Sequence, residues 1–266
     1  LPVTYPMNRK IIFITGSDHS GKSRLGHMLA TYDDCLYNYA SISPQEYFLE
    51  NSGLLSNPRD ETLKSLKQYI NKLSYLVSGG ISHHDGKPWM RGDKLIGYDN
   101  NKFSHNLCKS ITVDMDVGDF YLLWDRNLQK CRVNGNKSKF TLFEIEGVEG
   151  TNYVNLIKKK ILSSIFISIL RQPIDQIRSM KANILVRGPN NINYTGALSS
   201  ESNLYYKYIE SVINQYEWAV KSNKNDQLVK LIKFDDLINI KRDIALDISK
   251  LIFECTNTNF VNHLVR

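Results

Sequence analysis

The chain has 266 residues, 42% of them apolar and 23% charged, with a formal net charge of +7. That length buries one sizeable core and excludes a disulfide-stapled miniprotein or a disordered polyelectrolyte. The positive excess is spread along the chain, which suits a small anionic ligand and makes no demand for a nucleic-acid partner.

Cys35, Cys108, Cys131 and Cys255 lie far apart without a C-x-x-C pair, so no metal site is expected and a reduced, cytoplasmic setting is the simplest expectation. No apolar run reaches the roughly 18 residues of a spanning helix, so no membrane anchoring is expected. The longest such run, Ile161 to Leu170, carries three serines. Leu1 to Pro6 precede Met7 and read as a tag remnant, leaving 7–266 as a single domain.

In chain order, Lys10 to Thr15 is a β-branched and aromatic run that predicts a strand, and Leu25, Met28 and Leu29 give Ser23 to Ala30 helical spacing. Pro44 to Val77 reads as two helices with a break at Ser56 to Asp60, and Gly79 to Asn106 reads as loop. Ser110 to Val113, Phe120 to Trp124 and Phe140 to Ile145 predict short strands, and Asn152 to Leu162 a helix with an exposed basic patch. Ile165 to Leu170 has the unbroken apolar character of a parallel strand buried on both faces, and Pro173 sits in the first turn of the next helix. A long loop over Arg187 to Ser200, a helix over Glu201 to Val220, a strand over Leu228 to Phe234 and a helix over Ile244 to Phe253 complete the chain. Strands alternating with helices predict a three-layer α/β fold, with a mostly parallel central sheet flanked by helices.

Gly16-Ser17-Asp18-His19-Ser20-Gly21-Lys22-Ser23 matches G-x-x-x-x-G-K-[ST] between a predicted strand and helix, the context that makes this pattern informative. Glycines let backbone N–H groups turn inward around phosphate oxygens, the helix start adds positive potential, and Lys22 adds a point charge. Ser17, Asp18, His19, Ser20, Gly21, Lys22, Ser23 and the following Arg24 are therefore the expected ligand-binding residues.

At the second strand-to-helix junction, Phe166 to Ser179 reads F-I-S-I-L-R-Q-P-I-D-Q-I-R-S. This resembles the 3′-phosphate signature of the sulfotransferases, enzymes that use 3′-phosphoadenosine 5′-phosphosulfate (PAPS). The loop F-I-T-G-S-D-H-S-G-K-S-R-L is similar to the 5′-phosphosulfate loop of tyrosylprotein and carbohydrate-type members. The segment from Glu146 to Ile157, with Asn152, resembles the one the family places one helix ahead of the arginine strand. Leu231-Ile232-Lys233-Phe234-Asp235-Asp236-Leu237 is similar to the family's late strand.

The resemblance implies a P-loop fold of the sulfotransferase type, PAPS as donor, and a small-molecule or saccharide acceptor. It also implies Arg171 and Ser179 on the 3′-phosphate, through short charge-assisted bonds. The family's basic loop residue falls on His19, while Lys22 stands where threonine is usual, so the two share the expected catalytic role. The glutamate that tyrosylprotein members use as base falls near Tyr39 or Ala40, leaving the base unassigned.

Sulfuryl transfer needs a proton acceptor, and the polar middle of the chain offers His83, His84, Asp85, Asp93, Asp99, Asp114 and Asp116, with Glu46 after the loop. His84, within His83-His84-Asp85, is the first choice because histidine titrates near neutrality. The alternative reading is a nucleoside or nucleotide kinase, since the loop also resembles those of thymidylate kinases. Asp125-Arg126 would then supply a D-R pair, with magnesium held by Ser23 and Asp125.

Overall fold

The structure, a computed structural model, describes residues 10–17, 20–30, 32, 35–49, 52–55, 59–77, 98–132, 140–146, 152–187, 202–226 and 229–265. Five parallel strands form its centre: β1 (Lys10–Thr15), β2 (Leu36–Ile42), β3 (Phe140–Ile145), β4 (Ser164–Leu170) and β5 (Lys230–Lys233), in the spatial order β2-β3-β1-β4-β5. Around them lie α1 (Lys22–Ala30), α2 (Pro44–Tyr47), α3 (Arg59–Val77), α4 (Asn100–Ser110), α5 (Val117–Lys130), α6 (Tyr153–Lys160), α7 (Pro173–Arg187), α8 (Ser202–Lys221), α9 (Phe234–Ile238), α10 (Arg242–Phe253) and α11 (Thr258–Leu264). No described helix is long and apolar enough to cross a membrane.

β3 and β4 are buried along their whole length, and β1 at every position after Lys10, because helices cover both sheet faces. On one face the rings of Phe143, Phe13 and Phe166 stack across three neighbouring strands, with centroids 5.4 and 4.7 Å apart, and Tyr121 of α5 meets Phe13 edge-on at 5.0 Å. Lys158 of α6 lies over Phe166 on this face. On the other face, Tyr37 of β2 packs under Gly26 of α1, and Phe140 of β3 meets Phe253 of α10. The expected three layers are therefore present.

Two expected strands are absent. Phe120 to Trp124 lies inside α5, and of Ser110 to Val113 only Ser110 is helical, closing α4, while Ile111 to Val113 belong to the connection that follows. The aromatic run suggested a strand, but Val117, Phe120, Tyr121, Trp124 and Leu128 share one helical face and are all buried. Asp116 caps that helix by accepting from Asp119 N at 2.8 Å, and Asp99 caps α4 through Lys102 N at 3.0 Å. Both carboxylates, expected as possible bases, thus serve helix ends.

The basic patch expected on α6 is partly neutralised, because Lys160 pairs with Asp116 and Asp119 at 3.1 Å each. Among the elements that escaped the sequence reading are β2, whose Tyr-Asn-Tyr run mixes polar and apolar residues, α4, whose start falls in the stretch read as loop, and α11, capped by Asn257 through Phe260 N at 3.1 Å.

Register sets the site. Thr15 stands level with Ile145 on one side and Ser168 on the other. The loop after β1, Glu146 after β3 and Arg171 after β4 therefore leave the same carboxyl edge of the sheet. The chain leaving β1 crosses to the face opposite the one taken after β3 and β4, which is where open α/β sheets form ligand crevices.

Candidate functional site

The turn from β1 into α1 depends on its two glycines. Gly16 and Gly21 have φ of 154° and 105°, a region that side-chain-bearing residues rarely adopt. A Cβ on Gly21 would lie 2.5 Å from the Phe234 ring, and one on Gly16 would overlap Ser20 Oγ.

Inside the turn, Lys22 folds back so that Nζ donates to Gly16 O at 2.7 Å, Ser17 O at 3.1 Å and Glu146 Oε1 at 2.6 Å. Ser23 Oγ donates to Glu144 Oε2 at 3.0 Å. Ser20 Oγ is buried with no hydrogen-bond partner among the described residues, a group that an anion oxygen at the loop would satisfy.

The loop is joined to the end of β4 in two places. Gln176 Nε2 of α7 donates to Ser17 Oγ at 2.7 Å. The Phe234 ring lies against Gly21, and the Arg171 guanidinium lies 4.3 Å from the ring's centroid. Ser179, half-buried, follows Gln176 by three residues and so shares its side of α7. The structure thus brings together Ser17, Ser20, Gly21, Lys22, Ser23 and Arg171, with Ser179 one turn from Gln176.

Arg24 is committed elsewhere: Nε and Nη2 donate to Leu237 O and Ile238 O at 3.1 and 3.3 Å, tying α1 to the last turn of α9. Asp18, His19, His83, His84, Asp85 and Asp93 lie outside the described residues.

Asp125 does not join Ser23. It is buried on α5, accepting from Thr141 Oγ1 and from Gln129 Nε2 at 3.3 Å, and Thr141 belongs to the amino-terminal half of β3. The kinase-like D-R pair needs the aspartate at a strand end beside the loop; on a helix it instead faces Thr141, away from the loop.

The carboxylates at the loop come from β3 and α2. Glu144 is buried and accepts from the Tyr37 hydroxyl as well as from Ser23. Burial pushes its carboxyl up to about 7, against the opposing pull of the Tyr37 hydrogen bond and the Lys22 charge. Glu46, at the surface, is also raised, first by desolvation and then by the charge of Glu146, with the Tyr47 hydrogen bond opposing. Glu144 and Glu146 were not recognised as functional from the sequence, although an E-x-E at the end of a strand beside the loop strand was a visible signal.

The raised Glu144 fixes a pH dependence. Between the ordinary carboxylate range and about 7 the folded chain holds a proton there that the unfolded chain has lost, so stability falls as pH rises through that window. Thermal unfolding across the window should show this decline in the wild type. Glu144→Gln, whose amide can still accept from Tyr37 and donate to Ser23, should flatten it and unfold at a higher temperature on the alkaline side. An unchanged profile in the variant would assign the decline to another group.

No protein-family model matches the chain, and no curated protein sequence does. Among solved structures it is similar to a sulfotransferase from Alicyclobacillus acidocaldarius, at 14% identity over 94% of this chain and 85% of that one, with a TM-score of 0.44. It is likewise similar to sulfotransferase STF9 from Mycobacterium avium, at 13% identity over 98% and 67% with a TM-score of 0.45. A sulfotransferase domain from the curacin biosynthetic pathway gives 15% identity over 95% and 76% with a TM-score of 0.45.

Proposed function

We propose that this chain is a sulfotransferase, moving the sulfuryl group of PAPS to a hydroxyl of a small-molecule or saccharide acceptor. One observation carries the reading: a single ring, Phe234, touches both the loop at Gly21 and the guanidinium of Arg171. Two anion-binding elements that close suit a ligand with phosphate groups at two positions of one nucleoside.

The donor supplies an activated sulfuryl group, and the chain supplies what holds it. The loop N–H groups, the unsatisfied Ser20 hydroxyl and Lys22 suit the 5′-phosphosulfate, with Lys22 offsetting charge that develops on the leaving phosphate. Arg171 and Ser179 suit the 3′-phosphate. His19 retains its expected share of the loop's charge when protonated.

A second reading has its own support. Glu144 stands on Ser23 beside Lys22, where a phosphotransferase would hold magnesium, in place of the Asp125 expected from the sequence.

Thermal-shift titration separates the two. Ligand at 100 times its dissociation constant stabilises the folded state by about 2.7 kcal/mol. Adenosine 3′,5′-bisphosphate should therefore raise the unfolding temperature well above the effect of equal ATP with magnesium. The reverse order would replace sulfuryl transfer with phosphoryl transfer.

A further inference from the structure

The sheet face that carries the stacked phenylalanines ends in polar groups. Phe13 and Phe166 stack at 4.7 Å, and two residues further along each strand Thr15 and Ser168 stand level on that same face. Gln215 of α8 reaches Ser168, its Nε2 donating to the hydroxyl at 3.5 Å.

Tyr121 approaches from α5, which runs against the strands: its ring meets Phe143, and one turn later Asp125 accepts from Thr141, nearer the start of β3. Helical side chains lean toward their own amino end, so the Tyr121 hydroxyl points to the carboxyl edge of the sheet. Tyr69 of α3, half-buried, interacts with it electrostatically.

Thr15, Tyr121, Ser168 and Gln215 are each at most 2% exposed, yet Thr15 Oγ1, Tyr121 Oη and Gln215 Oε1 have no hydrogen-bond partner among the described residues. Unmet polar atoms in a core cost free energy at each position. Three of them, from β1, α5 and α8, mark a site whose partner arrives from outside the chain. We propose that these four side chains form an acceptor subsite, which binds a second hydroxyl of the substrate, apart from the hydroxyl that is sulfated. The proposal rests on the sulfuryl-transfer reading for the reaction and not for the binding.

The chemistry of the four selects the ligand group. Burial holds the Tyr121 phenol above its ordinary range, with Tyr69 adding in the same direction, so it stays an O–H donor. The Gln215 carbonyl oxygen only accepts, while the hydroxyls of Thr15 and Tyr121 do both. A ligand hydroxyl is itself donor and acceptor and meets every one of these atoms. A methyl meets none, and a carboxylate would bring a charge among four neutral side chains. Phe13 and Phe166 supply an apolar floor. The substrate class is therefore an uncharged phenol or alcohol with an apolar body and a second hydroxyl at its far end. Thr15 leads directly into the loop at Gly16, which puts this far end close to the reacting groups.

The probes are phenols carrying hydroxymethyl, hydroxyethyl or hydroxypropyl at the para position, each paired with the alkylphenol in which methyl replaces the terminal hydroxyl. Calorimetric titration with and without adenosine 3′,5′-bisphosphate reads binding alone. For at least one spacer length the wild type should bind the hydroxyl member about tenfold more tightly than its methyl partner. Gln215→Met and Thr15→Val should each abolish that preference and leave the alkylphenol bound as before. Without ligand, Thr15→Val and Tyr121→Phe should unfold at the wild-type temperature or above it, since the oxygen each deletes has no partner.

No preference at any spacer length, or a preference that survives both variants, overturns the proposal. So does a lowered unfolding temperature in both ligand-free variants, which would mean that a buried water already satisfies these oxygens. Tighter binding of para-hydroxyphenylacetate than of the alcohols would make Lys158, over the Phe166 ring, the recognising group and overturn it as well.

Turnover keeps the two readings apart. If the binding preferences hold while no phenol is sulfated, the subsite stands and the sulfuryl-transfer reading falls. If phenols are sulfated with equal kcat/KM for hydroxyl and methyl members, the reaction stands and the subsite falls.

Discussion

Lys22→Met should reduce turnover about 10³-fold, at the upper end of the loss seen when one charge-stabilising donor is removed from a reacting centre. The lysine stem is buried, 5% exposed, and methionine fills much of the same volume without the ammonium. Fold and loop shape should therefore survive, and circular dichroism and unfolding temperature should stay near wild type. Glu146 loses its ion-pair partner, but it is partly exposed and water can solvate it.

Binding should weaken for both sulfate and bisphosphate, because the ammonium that would meet their oxygens is gone. Steady-state kinetics and calorimetric titration of the same preparations check both halves. Turnover within tenfold of wild type would remove Lys22 from the chemistry and leave His19 as the loop's working charge.

Arg171→Ala is the second large effect, and it should be selective. A hydrogen bond to a charged group contributes about 1.5 to 3 kcal/mol, and a guanidinium presents a fork to phosphate, so bisphosphate affinity should fall about 10²-fold. Adenosine 5′-phosphosulfate, which lacks the 3′-phosphate, should bind the variant and the wild type alike. The substitution also removes the cation from the face of Phe234, which leaves the ring on Gly21 and the loop in place.

Arg171→Lys separates charge from geometry. It keeps a positive group but loses the planar fork, so it should recover only part of the affinity. Equal losses for the two nucleotides would mean that Arg171 supports the loop as a whole and reads no 3′-phosphate.

The elements legible in the sequence are those whose signal is local. Gly16 to Ser23 declares a tight strand-to-helix turn because φ of 154° and 105° at its two glycines is a backbone requirement written in residue type. Ile165 to Leu170 declares a strand covered on both faces because only such a strand is apolar at consecutive positions.

The middle of the chain was harder to read. Phe120 to Trp124 carries residues that suit a strand, and only the wider spacing from Val117 to Leu128 shows the helical face. Asp125 followed that error into the wrong site. Tyr37 looked like one tyrosine among fifteen, and its hydroxyl proves to hold Glu144 from a strand more than a hundred residues away.

By itself the sequence determined the alternating strands and helices, the glycine turn after β1 and the arginine that follows β4, since backbone requirements and hydrophobic periodicity are properties of neighbouring residues. Only the tertiary structure decided which charges share that edge of the sheet. Parallel pairing sets Ile145 and Ser168 level with Thr15, which brings Glu146 onto Lys22 and Arg171 to within one ring of Gly21. Electrostatic interaction depends on distance through space, and strand register, not position along the chain, sets that distance.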